Sequence, residues 1–486
     1  MEPVTFGSKK FPLEDTRPIA IATAILNDVF STPGKQRGLH EWSGAFWAWK
    51  EQNGFWAWVS MSKKDVEDCV WLWMSNAHCL VKVKSGDKEG TIMVPLKVTM
   101  HGVSEVVRCM EALCRLKIDR MPKFFGTAQG NPDMCIAFRD KVLDVGASAE
   151  KGEMVLFDRD EGFFESQVLP FNWGVEGEAN AWVKALDEWG GNDEAFPILI
   201  EREMAYGLMA FREYAKWFFH YGEIRGGKGT IERVRKLLMG ENHYFGVQMK
   251  TLASEFGLYP LAWKRVMVVS EVNKLEEKFT DQAGSLVKNV VGMDPIPLNR
   301  KFVDESQNVV SRAMVVMLGN LLPNLPNTGN GLSSKMVPVP FTVSFLGREN
   351  YGLSEQLAME LPQIGMRMAR AAVELVREKD GKKKFPMTKD AEEMMEKYKV
   401  MANPADSFLQ WGFRKLSDGF VASQPVYGRY EEFCQKFRLR PVNRNEFNIW
   451  LEAENSWGVR KKRQAKGGSN GFVGLTFKPT AGYDDE

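Results

Sequence analysis

Residues 217–240 read WFFHYGEIRGGKGTIERVRKLLMG. Within them Gly222, Glu223, Ile224, Arg225, Gly226, Gly227 and Lys228 fit the spacing G-x-x-x-x-G-K, followed by Gly229, Thr230 and Ile231. An apolar strand-like run precedes the loop. After it, Ile231, Val234, Leu237 and Leu238 share one helical face up to a stop at Gly240. A glycine loop between a strand and a helix N-terminus points successive backbone N–H groups, and the positive end of the helix, at one place. That place suits a polyphosphate, with Lys228 reaching the β and γ oxygens. Residues 222–231 are therefore the candidate ATP-binding segment. A chance Gly-Lys-rich turn is the alternative, and it leaves the flanking strand and helix patterns unexplained.

Triphosphate chemistry also needs an acid at the end of a neighbouring strand, to hold Mg²⁺ and orient water. Lys264-Arg265-Val-Met-Val-Val-Ser270-Glu271 offers one: four apolar residues and then Glu271, 43 residues beyond Lys228 and so separated from it by room for one helix. The position after Lys228 that usually supplies a Mg²⁺-ligating hydroxyl is Gly229, so Thr230 takes that role from one place later, and Thr230 and Glu271 are the candidate metal ligands. Some nucleotide kinases carry the same GKGT. A third apolar run, Ala313–Gly319, ends in Asn320, a polar residue placed to sense the terminal phosphate.

With these motifs in hand, the chain resembles the superfamily 3 helicases of phages, satellite phages and poxviruses, the helicase half of their primase–helicase proteins. GEIRGGKGTIERVRKLLMG (222–240) and WKRVMVVSEV (263–272) are similar to that family's two nucleotide motifs. Gly292-Met-Asp294-Pro-Ile-Pro-Leu-Asn299-Arg300-Lys301-Phe302 resembles its G-x-D-P-(I/L)-x-V-x-R-K block, and Asn320-Leu-Leu-Pro323 its sensor motif. PFTVSFLGREN (340–350) and MELPQI (359–364) follow in order. Upstream, LHEWSGAFWAW (39–49) and CIAFRDKVLDV (135–145) look like the segment that precedes such helicases. Where the family has an arginine finger, this chain has Gly331-Leu332-Ser-Ser-Lys335. Lysine keeps the charge but not the planar, bidentate grip, so the resemblance makes Lys335 a weaker trans-acting cation, with Arg348 as the other candidate. No primase motif accompanies these: Asp158-Arg-Asp160 is the lone D-x-D and reads as a surface loop.

The resemblance also implies DNA contacts. Arg300 and Lys301 would hold phosphates of a strand threaded through a ring, in a sequence-independent, salt-sensitive way. Residues 404–478 read as a winged helix. Asn443-Arg-Asn-Glu-Phe-Asn-Ile-Trp-Leu451 starts on an Asn cap with Glu446 three residues on, a recognition helix expected to expose Arg444, Asn445 and Asn448. Arg460, Lys461, Lys462 and Arg463, the turn KGGSNG (466–471) and FVGLTFK form the expected basic wing.

The elements that must position these residues follow from pattern and composition. At 486 residues the chain is long enough for about three domains, expected as an α+β unit over 1–197, an α/β P-loop AAA+ core with a parallel sheet over 198–385, and a linker plus winged helix over 386–486. Candidate core strands are Trp217–Tyr221, Val266–Val269 and Met314–Leu318. Glu355–Glu378 reads as helical, interrupted near Pro362, and 381–399 as a solvated helix or linker. Asn53-Gly54 marks a hairpin between Ala45–Trp49 and Phe55–Val59, packed on the domain core or offering a base-stacking platform. Met134–Val145 reads as strand–turn–strand, and the polar, Gly-rich 174–197 as a connection.

Composition excludes disordered and fibrous classes, with 44% hydrophobic and 26% charged residues. The net charge of +1 speaks against a generally basic nucleic-acid protein, but residues 404–483 hold thirteen Lys and Arg against seven Asp and Glu. The six cysteines form no CxxC pair and read as reduced and buried. There is no apolar leader or long apolar span, so a protein without membrane partners, in a host-cell cytoplasm, is expected. The function expected from all of this is an ATP- and Mg²⁺-dependent DNA helicase ring, a hexamer moving 3′→5′ on single-stranded DNA, alongside a separate primase or polymerase in replication of a virus, phage or mobile element. The alternatives are an ATP-binding initiator or assembly factor that does not unwind DNA, and a P-loop small-molecule kinase.

Overall fold

The computed structural model describes residues 12–478 apart from 32–37, 53, 86–87, 119, 127–129, 255–256, 271, 273–276, 299–306, 321–331, 333, 403, 438 and 464–468. At its centre are five strands: β1 (Trp217–Gly222), β2 (Tyr244–Gln248), β3 (Val266–Ser270), β4 (Met314–Gly319) and β5 (Met336–Phe341). All pair in parallel, in the order β2-β3-β4-β1-β5. Strand residues alternate between two buried faces. Phe218, Val268, Val316 and Val339 face helices α2 (Ala195–Leu208), α3 (Lys228–Met239) and, further along the chain, α6 (Leu361–Arg377). Trp217, Phe219, Met267, Val269 and Met317 face α4 (Glu277–Gly292). Strands covered on both faces must be apolar throughout, which is why β1, β3 and β4 stand out in the sequence. The chain is thus mixed α/β.

The two edge strands are less legible. β5 reads MVPVPF, and Pro338 and Pro340 would disqualify a central strand. The sheet order resolves this. β5 is an edge, and two prolines spaced by two residues leave their missing N–H groups on one side, the side away from β1. β2 reads YFGVQ and is only partly buried.

Two expectations for the flanking regions change. Residues 174–197 hold helix α1 (Asn180–Trp189), a Gly190-Gly191 bend and the start of α2, rather than an open connection. Trp182, Ala185, Leu186 and Trp189 are buried at helical spacing, and they join one core cluster whose members extend from Ile136 to Phe385. Residues 381–399 are not simply solvated. Phe385, Ala391 and Met395 are buried, and the Tyr221 hydroxyl donates to the Asp390 carbonyl (2.9 Å), docking helix α7 (Lys389–Ala402) on the sheet. The break near Pro362 separates α5 (Leu353–Met359) from α6, with the proline in the first turn of α6 where its missing N–H costs nothing.

Upstream, strands Leu39–Trp42, Ala45–Gln52 and Phe55–Met61 form an antiparallel sheet. Helices Pro18–Val29, Lys63–Asn76 and Met100–Cys114 pack on one face of it. Trp42, Trp47 and Trp58 are buried on the other, against Met121 and Phe164. Of the five tryptophans between 42 and 58, Trp42, Trp47 and Trp58 are therefore core, Trp49 is half-buried and Trp56 is exposed. Strands Cys135–Ala137 and Lys141–Asp144 make the expected hairpin. This region is joined to the core by a buried Arg265–Glu165 ion pair and by the Ser166 hydroxyl 3.1 Å from His243 Nε2.

After α7 the chain runs α8 (Pro404–Gly412), β6 (Phe413–Ala422), α9 (Ser423–Phe437), α10 (Arg444–Glu454), β7 (Arg460–Arg463) and β8 (Asn470–Phe477). The three strands pair antiparallel in the order β6-β8-β7, over a core that includes Phe408, Phe433, Phe447 and Leu475. Among the described residues no helix is long and apolar enough to cross a membrane.

Candidate functional site

In a parallel sheet, ligands sit beyond the carboxyl ends of the strands, where neighbouring connections leave in opposite directions. Here that point lies between β1 and β4. The chain leaving β1 crosses to β2 on one side, and the chain leaving β4 crosses to β5 on the other. Tyr221 pairs with Gly319, so the glycine loop and Asn320 emerge side by side. Beyond them opens a cavity of about 990 Å³, lined by Lys228, Thr230 and Asn320 together with α1 and the chain after β5. Its wall carries Lys184, Arg225, Lys228, Arg233 and Arg348 against Glu188 and Glu349. That excess of cations suits a polyanion.

The loop owes its shape to close packing. Gly222 (φ 128°) and Gly227 (φ 106°) occupy the left-handed region. A Cβ on Gly222 would fall 2.2 Å from the Phe341 carbonyl oxygen, and one on Gly227 2.5 Å from the Trp189 indole nitrogen. Arg225 also has positive φ, 63°. The loop therefore lies clamped between β5 and α1. Helix α3 begins at Lys228, with Gly227 as its cap residue, whose carbonyl accepts from the Thr230 and Ile231 amides (2.9 and 3.1 Å); the Lys228 and Gly229 amides stand ahead of the first helical bond, at the cavity end. The Lys228 ammonium donates to the carbonyls of Gly222 and Glu223, both at 2.8 Å, and so arches back over the loop. Partial burial pulls its pKa below the ordinary lysine value, against the opposing pull of Glu223.

Behind the loop is a buried ionic network. His220 Nε2 lies 2.8 Å from Glu203 Oε2, and Arg235 Nη2 donates to Glu203 Oε1 at 2.6 Å and Arg235 Nε to Glu232 Oε2 at 3.1 Å. His220 is on β1, Glu203 on α2, and Glu232 and Arg235 on α3, so the network ties the strand before the loop to the helix after it. Burial, the largest influence on Glu203, pushes its pKa up, but the charges and hydrogen bonds of His220 and Arg235 together bring it below the ordinary glutamate value.

The expected site residues separate into groups. Lys228, Thr230 and Asn320 share the cavity, with the whole stretch from Ile224 through Thr230. Glu271 lies outside the described residues; β3, which precedes it, ends at Ser270 on the same sheet edge. Arg300 and Lys301 also lie outside them, between strands Ile296–Leu298 and Gln307–Val309, which pair antiparallel. Lys335 is elsewhere. It immediately precedes β5, and β1 and β5 run in step from Trp217–Met336 to Gly222–Phe341, which puts Lys335 at the opposite sheet edge, roughly 20 Å from the loop at about 3.3 Å per residue. Arg348 is the reverse case, lining the cavity of its own chain.

In the C-terminal module Asn443 caps α10 through bonds from the Asn445 and Glu446 amides, both 3.1 Å. Arg444 and Asn445 are exposed, but Asn448 is buried at 6% exposure. It follows Phe447 into the core, and Ile449 is the exposed neighbour instead. Arg460, Lys461, Lys462 and Arg463 are all exposed, on an edge strand open on both faces.

Sequence reasoning missed Trp189 as a wall of the loop, the Arg233 guanidinium that donates to the Thr230 hydroxyl (3.1 Å), and the Arg225–Glu349 pair (3.9 Å). The i, i+3, i+4, i+7 spacing from Trp182 to Trp189 could have revealed the first. The others depend on side chains meeting across the fold.

Residues 220–333, from β1 to the chain just before β5, match a family of unknown function, DUF5906. No curated protein matches the chain. Among solved structures, the A form of the apo C-terminal region of NrS-1 is similar over 94% of this chain and 100% of its own, at 10% identity and a TM-score of 0.49. Two further apo structures of the NrS-1 C-terminal region, each 12% identical, cover 65% of this chain and 82% of theirs, with TM-scores of 0.41 and 0.42.

Proposed function

We propose that this chain is an ATPase subunit of a DNA helicase ring, hexameric by its sequence resemblance to superfamily 3 helicases, serving replication of a virus, phage or mobile element. The observation that carries the reading is the joint placement of Lys228, Thr230 and Asn320 in one cation-rich cavity at the switch point of a β2-β3-β4-β1-β5 parallel sheet. Such a sheet with a glycine loop after its first strand supports the reading of a P-loop AAA+ core.

On this reading the loop N–H groups and Lys228 hold the β and γ phosphates of ATP. Because Lys228 already arches over the loop onto its carbonyls, it needs only to exchange carbonyl oxygens for phosphate oxygens. Asn320 contacts the terminal phosphate, and Glu271 orients the attacking water. The donor set fits Mg²⁺, a hard cation that takes oxygen ligands: Thr230 and Glu271 would hold it, and when bound it neutralises charge on the transferring phosphate. Lys335, at the far sheet edge, acts on a neighbouring subunit's nucleotide. Arg300 and Lys301, between two paired strands, and the exposed Arg444 and Arg460–Arg463 contact DNA phosphates. The order α8-β6-α9-α10-β7-β8 supports a winged helix, with α10 as recognition helix and β7-β8 as wing.

The test is DNA-stimulated ATP hydrolysis and strand displacement by the unsubstituted chain and by Lys228→Ala. Both activities are expected to fall to background in the variant; hydrolysis that survives the substitution sinks the site assignment. Lys335 favours a second reading, a ring that binds ATP and DNA but does not unwind, because an ammonium lacks the guanidinium's bidentate grip. ATP-dependent DNA binding without strand displacement would select it. A small-molecule kinase leaves the paired strands around Arg300 and the basic C-terminal module without a role.

A further inference from the structure

We infer that Arg348 is a phosphate-contacting residue that acts in cis, on the nucleotide held by its own chain's glycine loop, which leaves Lys335, of the two candidate fingers, as the one offered to a neighbour. The inference rests on the nucleotide site proposed above and adds a residue and a direction to it.

The segment after β5 is built to aim Arg348. The Arg348 amide donates to the Phe345 carbonyl at 2.9 Å, closing a four-residue turn in which Gly347 takes a φ of 80°. A positive φ at the third position is the requirement of a type II turn, and glycine meets it without strain. The space around Gly347 is open, so backbone conformation and not crowding explains the glycine. The turn folds the Arg348 guanidinium over the Phe345 ring, 5.1 Å from its centroid, and Nη2 donates to the Ser344 carbonyl at 3.0 Å. That bond engages one of five guanidinium N–H groups.

Two tethers fix this turn to the loop of the same chain. The Ser344 hydroxyl donates to the Ile224 carbonyl at 2.9 Å, and the Phe345 amide to the Arg225 carbonyl at 3.3 Å. Glu349, next to Arg348, pairs with Arg225. Arg348 is thus referenced, through two hydrogen bonds and an ion pair, to the residues that lead into Lys228, and its side chain lines the same cavity. Arg348 therefore adds a further cis cation beside Lys228's own, and it favours a triphosphate over a diphosphate, since the extra phosphate brings charge that a further cation neutralises.

The experiment compares the unsubstituted protein, Arg348→Ala, Arg348→Lys and Lys228→Ala for binding of fluorescent ATP and ADP analogues and for hydrolysis. Arg348→Ala, an exposed position whose loss leaves the core intact, is expected to weaken ATP binding about tenfold or more and ADP binding less, with Arg348→Lys between the two. Mixed assemblies decide the direction. If Arg348 acts in cis, mixing Arg348→Ala with Lys228→Ala subunits creates no complete site, and activity stays at or below the average of the two. Recovery above that average means that Arg348 reaches a neighbour, and overturns the inference. Unchanged ATP affinity in Arg348→Ala overturns it as well. If the unsubstituted chain binds neither nucleotide, the proposed site itself falls and Arg348 with it, an outcome distinguished from the others by Lys228→Ala matching the unsubstituted chain.

Discussion

The indole of Trp189 occupies the space into which a side chain at position 227 would project, its nitrogen 2.5 Å and its Cδ1 2.6 Å from a Cβ built on Gly227. Trp189 is itself buried in α1, so a side chain at 227 has to displace a packed indole. Two residues on, Gly229 is the opposite case, with nothing within 4 Å of its Cβ position.

Gly227→Ala should therefore cost stability and site geometry together. A left-handed φ on alanine costs about 1–2 kcal/mol, and displacing a packed indole adds about 1–3 kcal/mol. Gly229→Ala, in an unstrained first turn of α3, should be neutral or stabilising by about 0.5–1 kcal/mol. Denaturant unfolding of the two variants tests the contrast. Equal effects from the two glycines would mean that the Trp189 contact does not shape the loop.

Much of this contrast was hidden in the sequence, where the glycines of GEIRGGKGT look alike. The loop, the strand before it and the helix after it could be read because each has its own local pattern: a short apolar run, a glycine cluster, and a 3.6-residue apolar repeat. β3 and β4 were legible for the same reason. β5 was not, because Pro338 and Pro340 forbid a strand everywhere except on an edge, and edge position is a property of the assembled sheet. Asn448 misled for a related reason. It is itself polar, but the helix phase set by Phe447 and Leu451 turns it inward. Arg348 was legible as a candidate finger; only the tethers from Ser344 and Phe345 to the loop put it in the cavity of Lys228.

A pH dependence follows from His243. The residue is buried where the N-terminal unit meets the sheet, and burial, reinforced by the charges of Arg265 and Lys264, holds its imidazole down to a pKa of about 3. An unfolded histidine titrates near 6.5, so between pH 6.5 and 3 the unfolded chain binds a proton that the folded chain refuses. Stability is full above pH 6.5 and declines as pH falls through that window, by roughly 2–3 kcal/mol between pH 6.5 and 4.5 from this group. His243→Gln, which keeps a polar group near Ser166 but does not titrate, should flatten the decline. Urea midpoints at the two pH values measure it, and an identical decline in the variant would assign the effect to other groups.

Thr230 gives the sharpest test of the metal chemistry. Its hydroxyl accepts from Arg233 at 3.1 Å and stands one residue later than the position from which such loops usually offer oxygen to Mg²⁺. If Thr230 is the ligand, Thr230→Ala should weaken Mg²⁺-dependent ATP binding about tenfold or more, as removal of a partner from a metal's coordination commonly does, and leave Mg²⁺-independent binding nearly unchanged. The open space at Gly229 then permits a rescue: Gly229→Ser in the Thr230→Ala background returns a hydroxyl to the same helix turn and should recover part of the lost affinity. Titration of Mg²⁺ against a fluorescent ATP analogue reads both variants. A double variant as weak as Thr230→Ala would mean that a hydroxyl at 229 cannot reach the ion, and equal losses with and without Mg²⁺ would make Thr230 a phosphate contact instead.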